Sequence, residues 1–250
     1  MDISATYVTG IMVTGKTPAR FPLAKQAVEA WLRQDYPGPR GLLIINDHPT
    51  CSLYPEEPLP EGVVEVRLDN QQPLGALRNF GIELAPREDS YLVQWDDDDY
   101  SAPGRLSYQV QHTAGGAASI FQHEIHCNLR TGEAFVNNGK QIRSRGFPGT
   151  MLWPRSSSCR FPEKGKAEDT EFLLELRRTT PLRVLKNPPS LYTRFYHGLN
   201  TWSERHVMQR KRGSRDLTVA EQSHIQSLRS GPYSAILAGE ASKEPEHNCN

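Results

Sequence analysis

No two of the four cysteines, Cys51, Cys127, Cys159 and Cys249, stand close enough to make a CxxC pair or a Cys/His ligand set. That spacing excludes the usual structural zinc sites and offers no disulfide framework; so sparse a set suits a reducing cytosol. Net charge is missing too, because lysine plus arginine and aspartate plus glutamate number 29 each. No global field therefore draws the chain to nucleic acid or to an anionic membrane. Asp2 stands where a basic leader would be needed, and the first apolar run, residues 7–13, is only strand-length. Neither a signal peptide nor a transmembrane segment is expected, and the chain reads as cytoplasmic. No internal repeat is found.

What is present is a globular composition, 37% hydrophobic and 23% charged over 250 residues, enough for one large domain with a modest appendage. Strand-like and helix-like segments alternate through the first half. Residues 7–13, 42–45, 63–68 and 91–95 read as strands, and 23–34 and 74–85 as helices. Leu23, Ala27 and Trp31 share one helical face, and Pro37-Gly38-Pro39 stops that helix. This β-α-β-β-α-β order predicts an α/β fold with a mainly parallel central sheet flanked by helices. The second half is less regular. Strands are expected over 119–127, 132–137, 150–153, 182–185 and 191–196, and a helix over 167–178. The boundaries divide the chain into a main domain (1–203), a basic helical C-terminal extension (204–237) and a disordered tail (238–250). Five basic residues against one acid between Glu204 and Arg215 suit a solvated helix face, or a weak contact of 205–215 with an anionic surface.

The run Asp96-Asp97-Asp98-Asp99 follows the strand at 91–95 and precedes a helix beginning near Pro103. Four adjacent carboxylates repel one another and persist together when solvated or when a hard cation bridges them. Oxygen ligands at a strand end suit Mg²⁺ or Mn²⁺. In parallel sheets ligands lie beyond the carboxyl ends of the strands. Three polar clusters fall there: Thr14-Gly15-Lys16, Asn46-Asp47-His48 and the aspartate run. Their convergence points to a nucleotide-type site.

Gly10 to Thr17 matches the phosphate-loop pattern GxxxxGK[ST] letter for letter. As an alternative, it would make the chain an NTPase or phosphotransferase. The four residues meant to wrap phosphate are Ile, Met, Val and Thr, which favour a strand. Pro22 also lacks an N–H that a helix starting at Gly15 needs. The match reads as a strand that happens to end in Thr-Gly-Lys.

Three stretches, in this order, resemble glycosyltransferase family 2 and the GT-A fold. Leu74 to Ala85 (LGALRNFGIELA) is similar to that family's Gly-x-Ala-x-Arg-Asn-x-Gly-Ile helix. Val93 to Tyr100 (VQWDDDDY), with Pro103 following, is similar to its apolar-Asp-x-Asp-Asp segment, and Glu168-Asp169 to its Glu-Asp motif. The resemblance covers roughly residues 5–200. It departs at two strand ends, where Thr14-Gly15-Lys16-Thr17 and Asn46-Asp47-His48-Pro49 replace the family's usual turns.

The resemblance implies a metal-dependent, inverting glycosyltransferase using a nucleotide-sugar donor, UDP being the commonest carrier. A non-catalytic nucleotide-sugar-binding module on the same fold is a further alternative. Asp169 becomes the general base. Thr14, Asp47, Arg78, Asp96 and Asp97 become nucleotide-sugar contacts, with Asp98, Asp96 and His197 on Mn²⁺ or Mg²⁺. Glu168 and Trp153 are assigned to the acceptor, and Trp202 is a second ring able to stack on a sugar. Extended backbone turns Asp96 and Asp98 the same way and Asp97 and Asp99 elsewhere, with Asp99 expected to cap the following turn or helix. The acceptor stays open among a saccharide, a lipid-linked sugar, a protein side chain and a modified nucleobase.

Overall fold

The computed structural model describes residues 5–56, 58–86, 90–113, 115–141, 145–209 and 213–238. Four parallel strands form the heart of the fold: β1 (Tyr7–Thr14), β2 (Arg40–Asn46), β3 (Val63–Arg67) and β4 (Ser90–Gln94), side by side as β3-β2-β1-β4. β1, β2 and β4 are covered on both faces, so each reads as an apolar run rather than as an alternation. Val8, Met12, Leu42 and Ile44 pack against Ala24, Ala27, Val28 and Trp31 of α1 (Phe21–Leu32). The intervening residues face the other way, where Leu43 and Ile45 meet Leu77 of α2 (Leu74–Leu84). α1 starts at Phe21, two residues earlier than its periodicity predicts. Pro22 therefore falls in the first turn, where its missing N–H costs nothing.

The sheet continues through β9 (Phe147–Pro154), antiparallel to β4, then β6 (Ala118–Phe121) and β10 (Leu182–Leu185), making seven strands. α3 (Arg105–His112) and α4 (Glu168–Thr179) pack against it; Phe172, Leu173 and Leu176 of α4 meet Met151 and Trp153. A second sheet has the order β5 (Tyr100–Ser101), β11 (Tyr192–Tyr196), β7 (His123–Asn128), β8 (Ala134–Asn138).

The single strand expected over 119–127 is two strands in different sheets. Gln122 is the hand-over: its N–H donates to Leu185 O (2.9 Å), while its own carbonyl accepts from Gly139 N (2.7 Å). Ile120 and Phe121 precede it and His123 and Glu124 follow, with neither glycine nor proline to mark the break.

Three short helices follow: α5 (Glu204–Met208), α6 (Val219–Ser230) and α7 (Ser234–Leu237). Ile225, Leu228 and Tyr233 pack with Ile125, Cys127 and Phe195, so the segment expected as an extension shares the core of the second sheet. Arg210, Lys211 and Arg212 of the basic stretch lie outside the described residues, as does the tail beyond Ala238. Among the described residues no helix is long and apolar enough to cross a membrane.

Candidate active site

Gly15 shows why β1 ends as it does. With φ +109° it is in the left-handed region, and a Cβ there would stand 2.6 Å from the backbone nitrogens of both Asp47 and His48. The glycine lets the loop after β1 touch the loop after β2. Gly10 lies mid-strand, where a Cβ would meet the Trp31 ring at 2.7 Å. With the first glycine inside β1 and the helix starting only at Phe21, the GxxxxGK[ST] match forms no phosphate loop. Thr14 and Asp47 line a cleft of about 480 Å³ at these strand ends. Asp47 accepts the Gln72 N–H at Oδ2 (3.2 Å), and burial raises its carboxyl.

The aspartate run lies on the same cleft, anchored by the residue before it. Trp95 is buried, its indole N–H donates to Ala27 O (2.9 Å), and its ring stands edge-on to Trp31. Each carboxylate then meets a different set of partners. Asp96 accepts from Arg78 (3.0 Å) and Gln94 (2.9 Å). Asp97 accepts from Thr14 Oγ1 (2.9 Å) and pairs with Arg20. Asp98 pairs with Arg20 (2.9 Å) and accepts from His197 Nε2 (3.1 Å). Asp99 accepts from the Tyr192 hydroxyl (2.6 Å) and the Phe195 N–H (3.0 Å), with Arg194 Nε at 3.6 Å. Asp97 and Asp99 are buried and Asp96 and Asp98 are partly exposed, but the expected opposite facing of neighbours is corrected at Asp97 and Asp98: they stand in a turn rather than in extended chain, and Arg20 reaches both. The expected cap is corrected: Asp99 ties the run to β11, and α3 has no side-chain cap.

Mutual repulsion is thus relieved by three guanidinium groups of the chain itself. Burial opposes the Arg20 charge, but Asp97 and Asp98 more than offset it and hold the group above its usual range. Burial pushes Asp97 up to about 6 despite Arg20. Burial acts the same way on Asp98, but Arg20 and the His197 hydrogen bond outweigh it and hold that carboxyl below the ordinary range. Leu199 N–H donates to His197 Nδ1 (3.3 Å), which places the ring hydrogen on Nε2, facing Asp98.

The third element is the start of α4. Arg78, 7% exposed, joins Asp96 at the end of β4 to Glu168 at the start of α4. Its cation is therefore shared between two carboxylates, neither of them on a ligand. Glu168 is itself buried, so its assignment to the acceptor gives way to an ion pair inside the wall. The rest of the α2 motif has an equally physical reading. A Cβ on Gly75 would lie 1.9 Å from Pro162 O, so only glycine lets α2 touch that loop. Asn79 clamps the Phe161 backbone at both its N–H and its carbonyl, each at 2.8 Å. Gly81 lets α2 lie on Ile11 of β1. Ala167, at φ +60°, then turns the chain into α4 in a conformation that costs a non-glycine residue about 1 kcal/mol. Asp169 follows on the cleft wall, its Oδ1 held by Thr170 N at 2.6 Å.

Trp153 is not on the cleft. It is 2% exposed and packs edge-on against Phe161 and Phe172, so the acceptor assignment fails for it. Trp202 lies on the rim, 39% exposed and stacked on His206.

Sequence reasoning missed Arg20, Arg194, Glu124, His126 and Asn137, all of which line the cleft. The last four lie on β7, β8 and β11, where alternation makes them look like the wet face of an ordinary strand. Arg20 carried one signal, a second cation after Lys16 in the segment that follows the first strand end.

No family model matches the chain, and no curated protein matches it. Solved structures do. Residues 1–349 of S. aureus TarS in complex with UDP superpose with a TM-score of 0.57 at 15% identity, covering 96% of this chain and 76% of that one. The same fragment in complex with UDP-GlcNAc gives 0.57 at 13% identity, covering 96% and 77%. Identity that low speaks to architecture, and the architecture is plain: a large, mostly parallel sheet flanked by helices, with a second sheet closing one side of the cleft, is the GT-A fold.

Proposed function

We propose that the chain is a glycosyltransferase that moves a sugar from a nucleotide-sugar, a UDP-sugar, to an acceptor hydroxyl with inversion. One observation carries the reading. Asp47 and Thr14 at parallel strand ends, the aspartate run and Asp169 all line one cleft of a GT-A fold. Structures of that fold in complex with UDP and with UDP-GlcNAc support the choice of donor.

Asp169 receives the acceptor's proton. The Thr170 N–H holds Oδ1 and so orients the carboxylate, leaving Oδ2 to take the proton as the hydroxyl attacks. Attack by one oxygen in line with the departing diphosphate inverts the anomeric centre. Asp47 offers the acceptor atom for a nucleobase N–H, since only Oδ2 is engaged by Gln72.

The residues fit Mn²⁺ or Mg²⁺ as a site shared with substrate. Among the described residues no three or more His, Cys, Asp or Glu side chains could hold an ion by themselves. Such ions commonly take one or two carboxylates and complete their shell with phosphate and water. Asp98 suits that role once Arg20 releases Oδ2. Asp96 is occupied by Arg78 and Gln94. His197, carrying hydrogen on Nε2, orients Asp98 or donates to a phosphate oxygen. When bound, the ion neutralises charge on the leaving diphosphate.

Calorimetry with UDP and Mn²⁺ tests the reading. Metal-dependent UDP binding, lost in Asp98→Asn, is expected, together with donor turnover lost in Asp169→Asn while UDP still binds. Binding of ATP instead, abolished by Lys16→Ala and indifferent to Asp98→Asn, refutes it. UDP-sugar binding without UDP release under any acceptor reduces the protein to a binding module.

A further inference from the structure

Glu124 and Asn137 face each other directly across the β7–β8 ladder, and His126 follows two residues on from Glu124. All three line the cleft and are buried: Glu124 is 0% exposed, Asn137 1% and His126 5%. His126 Nδ1 lies 2.6 Å from Val207 O, and a carbonyl only accepts, so Nδ1 carries hydrogen. Nε2 meets Glu124 Oε1, with a single proton shared between them. One carboxylate oxygen of Glu124 is thereby fixed.

The other is not. Glu124 Oε2 and Asn137 Oδ1 have no hydrogen-bond partner among the described residues. Two buried acceptors on cross-strand neighbours, side by side at a cleft, are costly to leave unmade. They call for a ligand presenting two adjacent donors. A cationic donor is disfavoured, because Arg194 Nε stands 3.9 Å from Glu124 Oε1. Phe147 and Pro148 add an apolar wall to the same cleft. Neutral O–H donors on a ring with a C–H face match both features.

We propose that Glu124 and Asn137 form a hydroxyl-binding pair that grips neighbouring hydroxyls of a sugar ring, with His126 positioning Glu124. This rests on the glycosyltransferase reading. The ring belongs either to the donor sugar or to a saccharide acceptor, and the same chemistry serves both.

The test titrates the full chain with UDP and Mn²⁺, with a panel of UDP-hexoses and UDP-N-acetylhexosamines, and with methyl glycosides in the presence of UDP. Glu124→Gln and Asn137→Ala are compared with wild type. UDP affinity is expected to be unchanged, while affinity for at least one sugar-bearing probe falls roughly tenfold, as for loss of a hydrogen bond to a charged group. A loss confined to UDP-sugars assigns the pair to the donor; a loss confined to methyl glycosides assigns it to the acceptor. Equal affinities in wild type and both variants overturn the proposal while UDP binding keeps the broader reading intact. If wild type binds neither UDP nor any UDP-sugar, the broader reading falls and takes the pair with it. Should both variants misfold, NMR of the His126 ring in wild type decides: it must shift with a sugar-bearing probe and not with UDP alone, and no shift overturns the proposal.

Discussion

Replacing Arg20 with glutamine leaves two adjacent carboxylates facing each other without their shared cation. The side chains of Arg20, Asp97 and Asp98 are only 11%, 6% and 15% exposed, so water screens the triad weakly. Removing one member of a buried ion pair costs about 3–5 kcal/mol. Protonation of Asp97 limits that cost. Burial already pushes this carboxyl up to about 6 with Arg20 present, and Arg20 is what holds it down. In Arg20→Gln it rises further. The folded state then keeps a proton that the unfolded chain releases near pH 4, so stability falls as pH climbs from about 4 through the folded value. The variant is therefore expected to lose about 3 kcal/mol near pH 8 and clearly less near pH 5. At about 2–4 °C per kcal/mol for a chain of this size, the melting temperature drops by roughly 6–12 °C at the higher pH. Thermal melts of wild type and variant at both pH values measure it. On the proposed function Mn²⁺ with UDP restores more of the loss in the variant than it adds to wild type, because the ion takes over the vacated carboxylate. A variant that melts within a degree of wild type near pH 8 refutes the role given to Arg20.

Asp98→Asn is expected to abolish metal-dependent UDP binding, whereas Asp97→Asn leaves that binding measurable; equal losses in calorimetry would show that the division of the run is wrong. Asn79→Ala removes both bonds to the Phe161 backbone, costing about 2 kcal/mol at about 1 kcal/mol each. Hydrogen exchange should rise first in the loop leading to Asp169, with turnover falling more than UDP affinity. Glu221, hydrogen-bonded by Arg215 and by Thr218, is pulled down to about 2. Its contribution is fully present above about pH 4.5 and is lost as pH falls from there through about 2. Glu221→Gln should therefore cost about 1 kcal/mol near neutral pH, a figure reduced because Arg215 is 48% exposed, and progressively less in acid denaturation series approaching pH 2.

The doubly covered strands were the legible part of the fold. β1, β2 and β4 read as near-continuous apolar runs because both faces are packed. α2 was legible for a second reason, since each of Gly75, Arg78, Asn79 and Gly81 is required by a particular contact. The side of the cleft built from the ends of β1, β2 and β4 was legible through the strand-end rule. Its far side was not. Glu124, His126, Asn137 and Arg194 alternate with Ile125, Cys127, Val136 and Phe195, a pattern identical to a strand with one wet face. Only the packing of α5 against β7, shown by the Val207 carbonyl on His126, turns that face into a cleft wall. The pairing of Arg20 with Asp97, 77 positions apart, likewise leaves no trace in local spacing. Trp153 failed because a tryptophan near a proposed site looks the same in sequence whether it packs in the core or waits for a sugar.

α2 touches four parts of the molecule within eleven residues: Ile11 through Gly81, the Phe161-Pro162 loop through Asn79 and Gly75, and, through Arg78, Asp96 and Glu168. On the proposed function it acts as a gauge between the two halves of the reaction. The distance from the aspartate run to Asp169 is set where α2 grips Phe161 and Pro162, upstream of the exposed residues 163–167. On that reading the open side of the stretch about Gly165, where a Cβ would meet nothing within 4 Å, can carry larger side chains to suit a new acceptor, while the Gly75 N–H on Lys164 O (3.0 Å) keeps its backbone in register with α2. A change within Gly75–Asn79 would shift both substrates of the proposed reaction at once. Altering acceptor choice is then a matter of changing the side chains around Gly165 and leaving the helix alone.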